Sequence, residues 1–221
     1  MLDAQIFGFL AQLEQHNNKD WFCSQKAVYD KIKARITAFT AELIERISVF
    51  DPSIRRETPR TSIFRIYRDL RFSPDKTPYK THFGIYIAPG GKSSVNDAYY
   101  IHLQNNASEL ACGLWCPEST ILKKIREEIY YEPETFEALL KQKEFSAYFG
   151  ALLEINKMKR SPKEYPSDFP YIGYLQHRNY IVSHALPNAE VLAEDFTEKI
   201  VKACRTAYPF VDYLNETIRN S

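Results

Sequence analysis

The residues able to do chemistry are concentrated in one stretch, where cations alternate with aromatics: Phe64-Arg65-Ile66-Tyr67-Arg68-Asp69-Leu70-Arg71-Phe72-Ser73-Pro74-Asp75-Lys76-Thr77-Pro78-Tyr79-Lys80-Thr81-His82. An arginine fork takes two phosphate or carboxylate oxygens at once, and lysine adds a compact charge. Pro74 and Pro78 restrict the backbone, and Ser73-Pro74-Asp75-Lys76 has the composition of a turn, so several of these cations are expected on a fixed scaffold. That arrangement suits a phosphate-bearing anion, with Arg65, Arg68, Arg71, Lys76, Lys80 and His82 as candidate ligand-binding residues. The same residues have a second reading, in which the arginines pair with Asp69, Asp75 and carboxylates of the helices and fasten an irregular connection to the body of the protein. The residues alone leave both readings open.

Elements on both sides must hold this stretch. Leu2, Ile6, Phe9, Leu10 and Leu13 recur at helical spacing behind Asp3, a fitting N-cap, and Asp20 is placed to cap a longer helix whose stripe runs from Val28 through Ile32, Ile36, Phe39 and Leu43 to Phe50. The period then changes to two. Phe83, Ile85 and Ile87, then Tyr99, Ile101 and Leu103, then Leu110, Cys112 and Leu114 alternate with a second set of residues, predicting strands near 83–88, 98–104 and 108–115. Asn105 and Asn106 suit a hairpin turn between the last two, so the sheet is expected to be antiparallel. Ile63 to Tyr67 fits a further strand or one or two helical turns. Helical spacing returns from Leu122 to Leu153, an irregular connection is expected over 157–178 and a strand over Tyr180 to Ala185. A last stripe, Val191, Phe196, Ile200, Val201 and Cys204, is expected to end at Pro209, with a separate terminal piece beyond it. The expectation is one α+β domain over 1–221, an antiparallel sheet packed against N-terminal and C-terminal helices.

The sheet offers a second group of candidates. If the larger apolar set faces the helices, the other face carries Gly84, Tyr86, Ala88, Tyr100, His102, Gln104, Ala111, Gly113 and Trp115, and small residues beside aromatics leave room for a groove. Tyr100 and Trp115 join the ligand-binding candidates, and His102 is the candidate proton-transfer residue. The alternative is a sheet face covered by C-terminal helices, with His102 bonded to a carbonyl.

The extended signature from Phe64 to His82 resembles that of domain of unknown function family 2461. Asn17-Asn18-Lys19-Asp20-Trp21-Phe22 resembles the family's opening, Gly113-Leu114-Trp115-x-Pro117 its middle, and Lys159-Arg160-x-Pro162-Lys163-x-Tyr165 its later basic motif, where Glu164 and Phe169 depart from the pattern. The resemblance spans nearly the whole chain. It implies one α+β domain and carries over no reaction, substrate or catalytic residue.

Other constellations are weaker. Cys112 and Cys116 lack a second close pair, so no metal and no cofactor is expected, and Cys23, near the start of a helix, reads as a packing residue despite His16 nearby. Asn17, Asn18 and Trp21 read as a turn between helices with an aromatic anchor. Gly90-Gly91-Lys92-Ser93 lacks the earlier glycine of a phosphate loop and reads as a flexible hairpin loop, and Lys157, Lys159, Arg160 and Lys163 as a solvated basic surface. The chain's net charge of +1 argues against a general polyanion binder, yet residues 55–82 alone hold eight basic and three acidic side chains, a local +5. No apolar run reaches the roughly 20 residues that span a bilayer, and the first residues lack the order of a signal peptide, so a cytoplasmic protein without a membrane partner is expected. Three functions fit: a site for an anionic, phosphate-bearing small molecule, enzymatic or not; a nucleic-acid module; and a structural or interaction protein whose charge cluster only holds the fold.

Overall fold

The computed structural model describes residues 2–71, 73–94 and 98–219. Phe72, part of the signature, lies outside the described residues. The N-terminal helices are α1 (Gln5–Gln15), α2 (Lys19–Ser24), α3 (Lys26–Ile47) and the single turn α4 (Pro59–Ser62). Strands β1 (Phe83–Ile87), β2 (Ala98–Leu103) and β3 (Ser108–Leu114) follow, then α5 (Ser119–Tyr131), α6 (Pro133–Lys141), α7 (Lys143–Phe149) and α8 (Ile172–Leu175). Strand β4 (Tyr180–Leu186), the short α9 (Asn188–Val191) and α10 (Phe196–Arg219) complete the chain.

The four strands form one antiparallel sheet in the order β1-β2-β3-β4. Period-two alternation sorts its side chains as expected: Phe83, Ile85, Ile87, Tyr99, Ile101, Leu103, Leu110, Cys112 and Leu114 are buried in the hydrophobic core. The core also takes Tyr180 and Val182 of β4 and the apolar stripes of α1, α3 and α10. Helix α10 is the keystone, packing on β3 and against α3, α5, α6 and α7. The opposite face is thus not covered by the C-terminal helices. It is bordered instead by the 63–82 segment and by the loop after α7, where the Leu153 amide bonds the Ile181 carbonyl at 2.8 Å.

Two helix expectations are corrected. The second helix is two helices: Asn18, not Asp20, caps α2 by accepting from the Trp21 amide at 3.0 Å, and the chain turns at Gln25 before α3 begins. On either side of the turn Phe22 and the Tyr29, Ile32 and Ile36 stripe enter one core, with the Phe22 and Tyr29 ring centroids 5.0 Å apart. At the other end, α10 continues unbroken past Pro209. A proline inside a helix costs about 3 kcal/mol. Phe210, Val211 and Leu214 continue the buried stripe of Phe196, Ile200, Cys204 and Ala207 past it, and their burial offsets that cost.

Gly113 is fixed by the sheet itself. Its φ is +123°, and a Cβ there would lie 2.0 Å from the Tyr180 carbonyl oxygen across the β3-β4 ladder. Gly113→Ala is therefore expected to lower stability by more than about 3 kcal/mol in urea melts, through overlap with backbone that cannot yield. Gly8→Ala on α1, where an added Cβ meets nothing within 4 Å, is expected to raise it by up to about 1 kcal/mol.

Candidate functional site

The 63–82 segment is neither a full strand nor a helix. Ile63 bridges Ile85 and the Phe64 amide bonds the Gly84 carbonyl at 3.0 Å, which lays the segment along the free edge of β1. It then folds back on itself as a narrow ribbon, with Arg68 N donating to Pro78 O at 3.0 Å and Lys80 N to Ile66 O at 2.8 Å, around the facing pair Tyr67 and Tyr79. Those bonds flank the pair, so the N–H and C=O of Tyr79 itself point away from Tyr67. Asn17 meets them: its Nδ2 donates to Tyr79 O at 2.9 Å and its Oδ1 accepts from Tyr79 N at 3.0 Å. Phe22 stacks on the buried Tyr79 ring at 4.0 Å. Asn17 is thus more than part of a turn between helices. The helical opening motif holds the basic segment in place.

The tip of the ribbon uses its charges internally. Arg68 pairs with Asp75 and bonds the hydroxyls of Thr77 and Ser73, while the Thr77 amide donates to Asp75 Oδ1 at 2.9 Å. Arg71 forks onto Asp69 at 3.0 and 2.6 Å, and Lys76 Nζ donates to the Leu70 carbonyl at 3.0 Å. These partners hold both carboxyls low. Asp69 falls to about 2 through its hydrogen bonds from Arg71, and Asp75 to about 2 through the Thr77 amide and then Arg68. Arg68, Arg71 and Lys76, three of the sequence candidates, line neither of the cavities described next.

Arg65 and Lys80 do. They line a cleft of about 710 Å³ between α3 and the ribbon, together with Lys33 of α3, Arg60 of α4 and Lys92. No described carboxylate lines it, and Lys33, Arg60, Arg65, Lys80 and Lys92 form no ion pair among the described residues. Lys92 donates to the carbonyls of Arg60 and Ile63 at 2.7 and 3.0 Å, and Glu57 accepts from the Gly90 amide at 2.9 Å, so the loop that reads as flexible is tied down. Burial, then the neighbouring Arg65, pushes the Lys80 ammonium below the usual lysine range. Tyr29, Ile36, Ile63, Phe64, Ile66 and Phe83 give the cleft an apolar floor.

A second cavity of about 500 Å³ opens on the exposed face of the sheet. Phe64 and Lys80 line it as well, the ammonium lying 5.1 Å from the ring centroid, with His82, Tyr86, Tyr100, Glu109 and Trp115 in its polar and aromatic wall and Ala111 beneath. The room does not come from Gly84, whose missing Cβ makes space for the Tyr100 hydroxyl and the Phe64 ring at 3.0 and 3.1 Å. It lies over Ala111, towards β4. His102, the proton-transfer candidate, lines neither cavity: Nδ1 faces the Tyr100 hydroxyl at 3.0 Å, Nε2 faces Gln104 Oε1 at 2.8 Å, and its ring stacks behind His82 at 4.3 Å. Burial, then the His102 and Lys80 neighbours, lowers His82 to about 4, so it is neutral at pH 7.

Sequence reasoning left Lys33, Arg60, Lys92 and Glu109 out of the site. Lys33 carried a usable signal, since it stands one turn from Tyr29 and from Thr37 on a single face of α3. The four cysteines are free thiols, with Cys112 and Cys204 buried, and among the described residues no group of three or more His, Cys, Asp or Glu is placed to hold a metal. No described helix is long and apolar enough to cross a membrane. Lys157 of the second basic cluster pairs with Glu154 at 2.6 Å, and Phe169, one of the departures from the motif, packs 4.9 Å from Tyr130.

An α+β fold with an edge ribbon, a cation-lined cleft and a partly aromatic cavity defines the class. The chain belongs to the conserved hypothetical proteins of DUF2461, which it matches over residues 5–213. Neither a curated protein nor a solved structure matches it.

Two outcomes follow from this geometry. Asn17→Ala strands the buried Tyr79 N–H and C=O and is expected to cost about 1–3 kcal/mol in urea melts, and Asn17→Asp, which keeps an acceptor but loses the donor, is expected to recover little. Stability is also expected to fall as pH drops from about 6.5 to about 4: the unfolded chain takes up protons there that folded His82 and His177, both lowered to about 4, refuse. Asp69 and Asp75 add most of their loss below about pH 4, so His82→Gln should flatten the decline measured by melts at about pH 7 and about pH 4.5.

Proposed function

We propose that the protein binds a phosphate-bearing small molecule, with the anionic group in the cleft between α3 and the 63–82 ribbon. One observation carries this reading: Lys33, Arg60, Arg65 and Lys80 line one cleft, beside Lys92, which two carbonyls hold, and no described carboxylate lines it. Like charges converging on one concave space raise the local positive potential, and an anion entering the cleft is attracted by it. The adjacent Arg68, Arg71 and Lys76 supply the contrast. Their partners are a carboxylate, a carboxylate and a carbonyl, so they hold the ribbon while Arg65 and Lys80 face the cleft. Phosphate chemistry fits better than a lone carboxylate, because a phosphate offers three or more acceptor oxygens to convergent Arg and Lys donors.

The cleft's apolar floor and concave shape favour a small molecule over a polynucleotide, which needs an open basic strip. A thermal-shift screen of inorganic phosphate, pyrophosphate, sugar phosphates, nucleotides and short oligonucleotides tests the reading. A phosphorylated small molecule is expected to raise the melting temperature. Arg65→Ala and Lys80→Ala are each expected to weaken its binding roughly tenfold to a hundredfold with little change in the unliganded melt. Arg68→Ala is expected to do the reverse, lowering the melting temperature and sparing affinity. Stabilisation by oligonucleotides alone would make the protein a nucleic-acid module, and no stabilisation by any phosphorylated compound would leave the cations a structural feature.

A further inference from the structure

Resting on the anion reading above, we propose that the rest of the ligand is a flat heteroaromatic ring bearing an N–H donor, seated in the cavity on the open face of the sheet. The ligand is then, in chemical class, a nucleoside phosphate. The two cavities share a wall, since Phe64 and Lys80 line both. In this proposal the anionic group meets Lys80, which lines both cavities, and the ring extends from there into the sheet cavity. That cavity is walled by Phe64, Tyr86, Tyr100 and the half-exposed Trp115, with Ala111 and Ile181 among its apolar lining. Rings of this kind take a flat π-face and contribute by stacking, whatever the identity of the base.

Glu109 decides the polarity of the ring. It is the one described carboxylate in the lining. Its Oε2 accepts from the Ser183 hydroxyl at 2.6 Å, while Oε1 has no hydrogen-bond partner and the carboxylate no ion pair among the described residues. A half-buried carboxylate oxygen covered by an acyl chain or a bare hydrocarbon ring would lose its water and gain nothing. An exocyclic amine or ring N–H meets it directly. His82, neutral at pH 7, offers a second hydrogen-bonding edge without adding charge to the cavity.

Isothermal titration of the full chain with AMP, CMP and GMP, against ribose 5-phosphate as the anion-only probe, tests this. At least one nucleotide is expected to bind tenfold or more tightly than ribose 5-phosphate. Ala111→Trp, which fills the cavity, is expected to reduce that nucleotide to the affinity of ribose 5-phosphate. Glu109→Gln, a milder change should the tryptophan variant not fold, is expected to weaken the nucleotide about threefold or more and leave ribose 5-phosphate unchanged. If ribose 5-phosphate binds and no nucleotide binds more tightly, or if Glu109→Gln weakens both alike, the ring site is refuted while the anion cleft stands. If none of the four compounds binds, the anion reading fails and the ring site falls with it.

Discussion

Tyr79 sits at the centre of the basic ribbon with its own N–H and C=O turned away from the pairing that holds the ribbon together, and a buried backbone in that position needs a neighbouring strand or a substitute. The Asn17 side chain is the substitute, a single amide that supplies one donor and one acceptor in the geometry of a peptide group. Phe22, five residues on, closes over the Tyr79 ring at 4.0 Å. Through these contacts the turn between α1 and α2 fixes Pro78-Tyr79-Lys80, and with it the height at which Lys80 enters both cavities. Asn18 caps α2 in the same turn, so two adjacent asparagines do unrelated work: one starts a helix and the other splints a ribbon forty or more residues beyond it.

On that scaffold the positive charges divide into two sets. Those near the tip, Arg68, Arg71 and Lys76, meet acceptors within the ribbon itself, at short sequence separation, and give an irregular loop its shape. Those near the base, Arg65 and Lys80, meet Lys33, Arg60 and Lys92 from other elements across the cleft. The division follows from where acids occur in the sequence. Asp69 and Asp75 lie inside the tip, and no described acid lines the cleft, so each base cation that folding brings there adds to its positive field. The ribbon's stability and the cleft's charge are thereby separable, which is why substitutions in the two sets are expected to have opposite effects.

Much of the fold is legible in the sequence, because the sheet states its own faces: Phe83, Ile85 and Ile87 cannot change register by one residue without exposing the whole row. The breaks are less legible. Nothing in Ser24-Gln25 marks the end of a helix, and Pro209 marks an end that the continuing stripe of Phe210, Val211 and Leu214 overrides. For the site, Arg65, Lys80, Tyr100 and Trp115 are found from residue type and spacing, and the structure brings each to a cavity wall. Which arginines are already paired is not visible in a string where Arg65, Arg68 and Arg71 look alike. Glu109 is invisible for another reason, since it stands in an ordinary strand pattern and becomes notable only when distant elements bring other groups beside it, whereas Lys33 shares a helix face with Tyr29 and Thr37.

The central claim, that fixed and unpaired cations at the base of the ribbon form an anion site while paired ones at its tip are structural, is tested most directly by nitrogen-15 NMR of the lysine and arginine side chains during titration with pyrophosphate. The account predicts saturable shifts at Lys80 and Arg65, followed by Lys33 and Arg60, with the Arg68 guanidinium unmoved throughout. Weak, non-saturating shifts spread evenly over the surface lysines and arginines, or a response at Arg68 equal to that at Arg65, would contradict it.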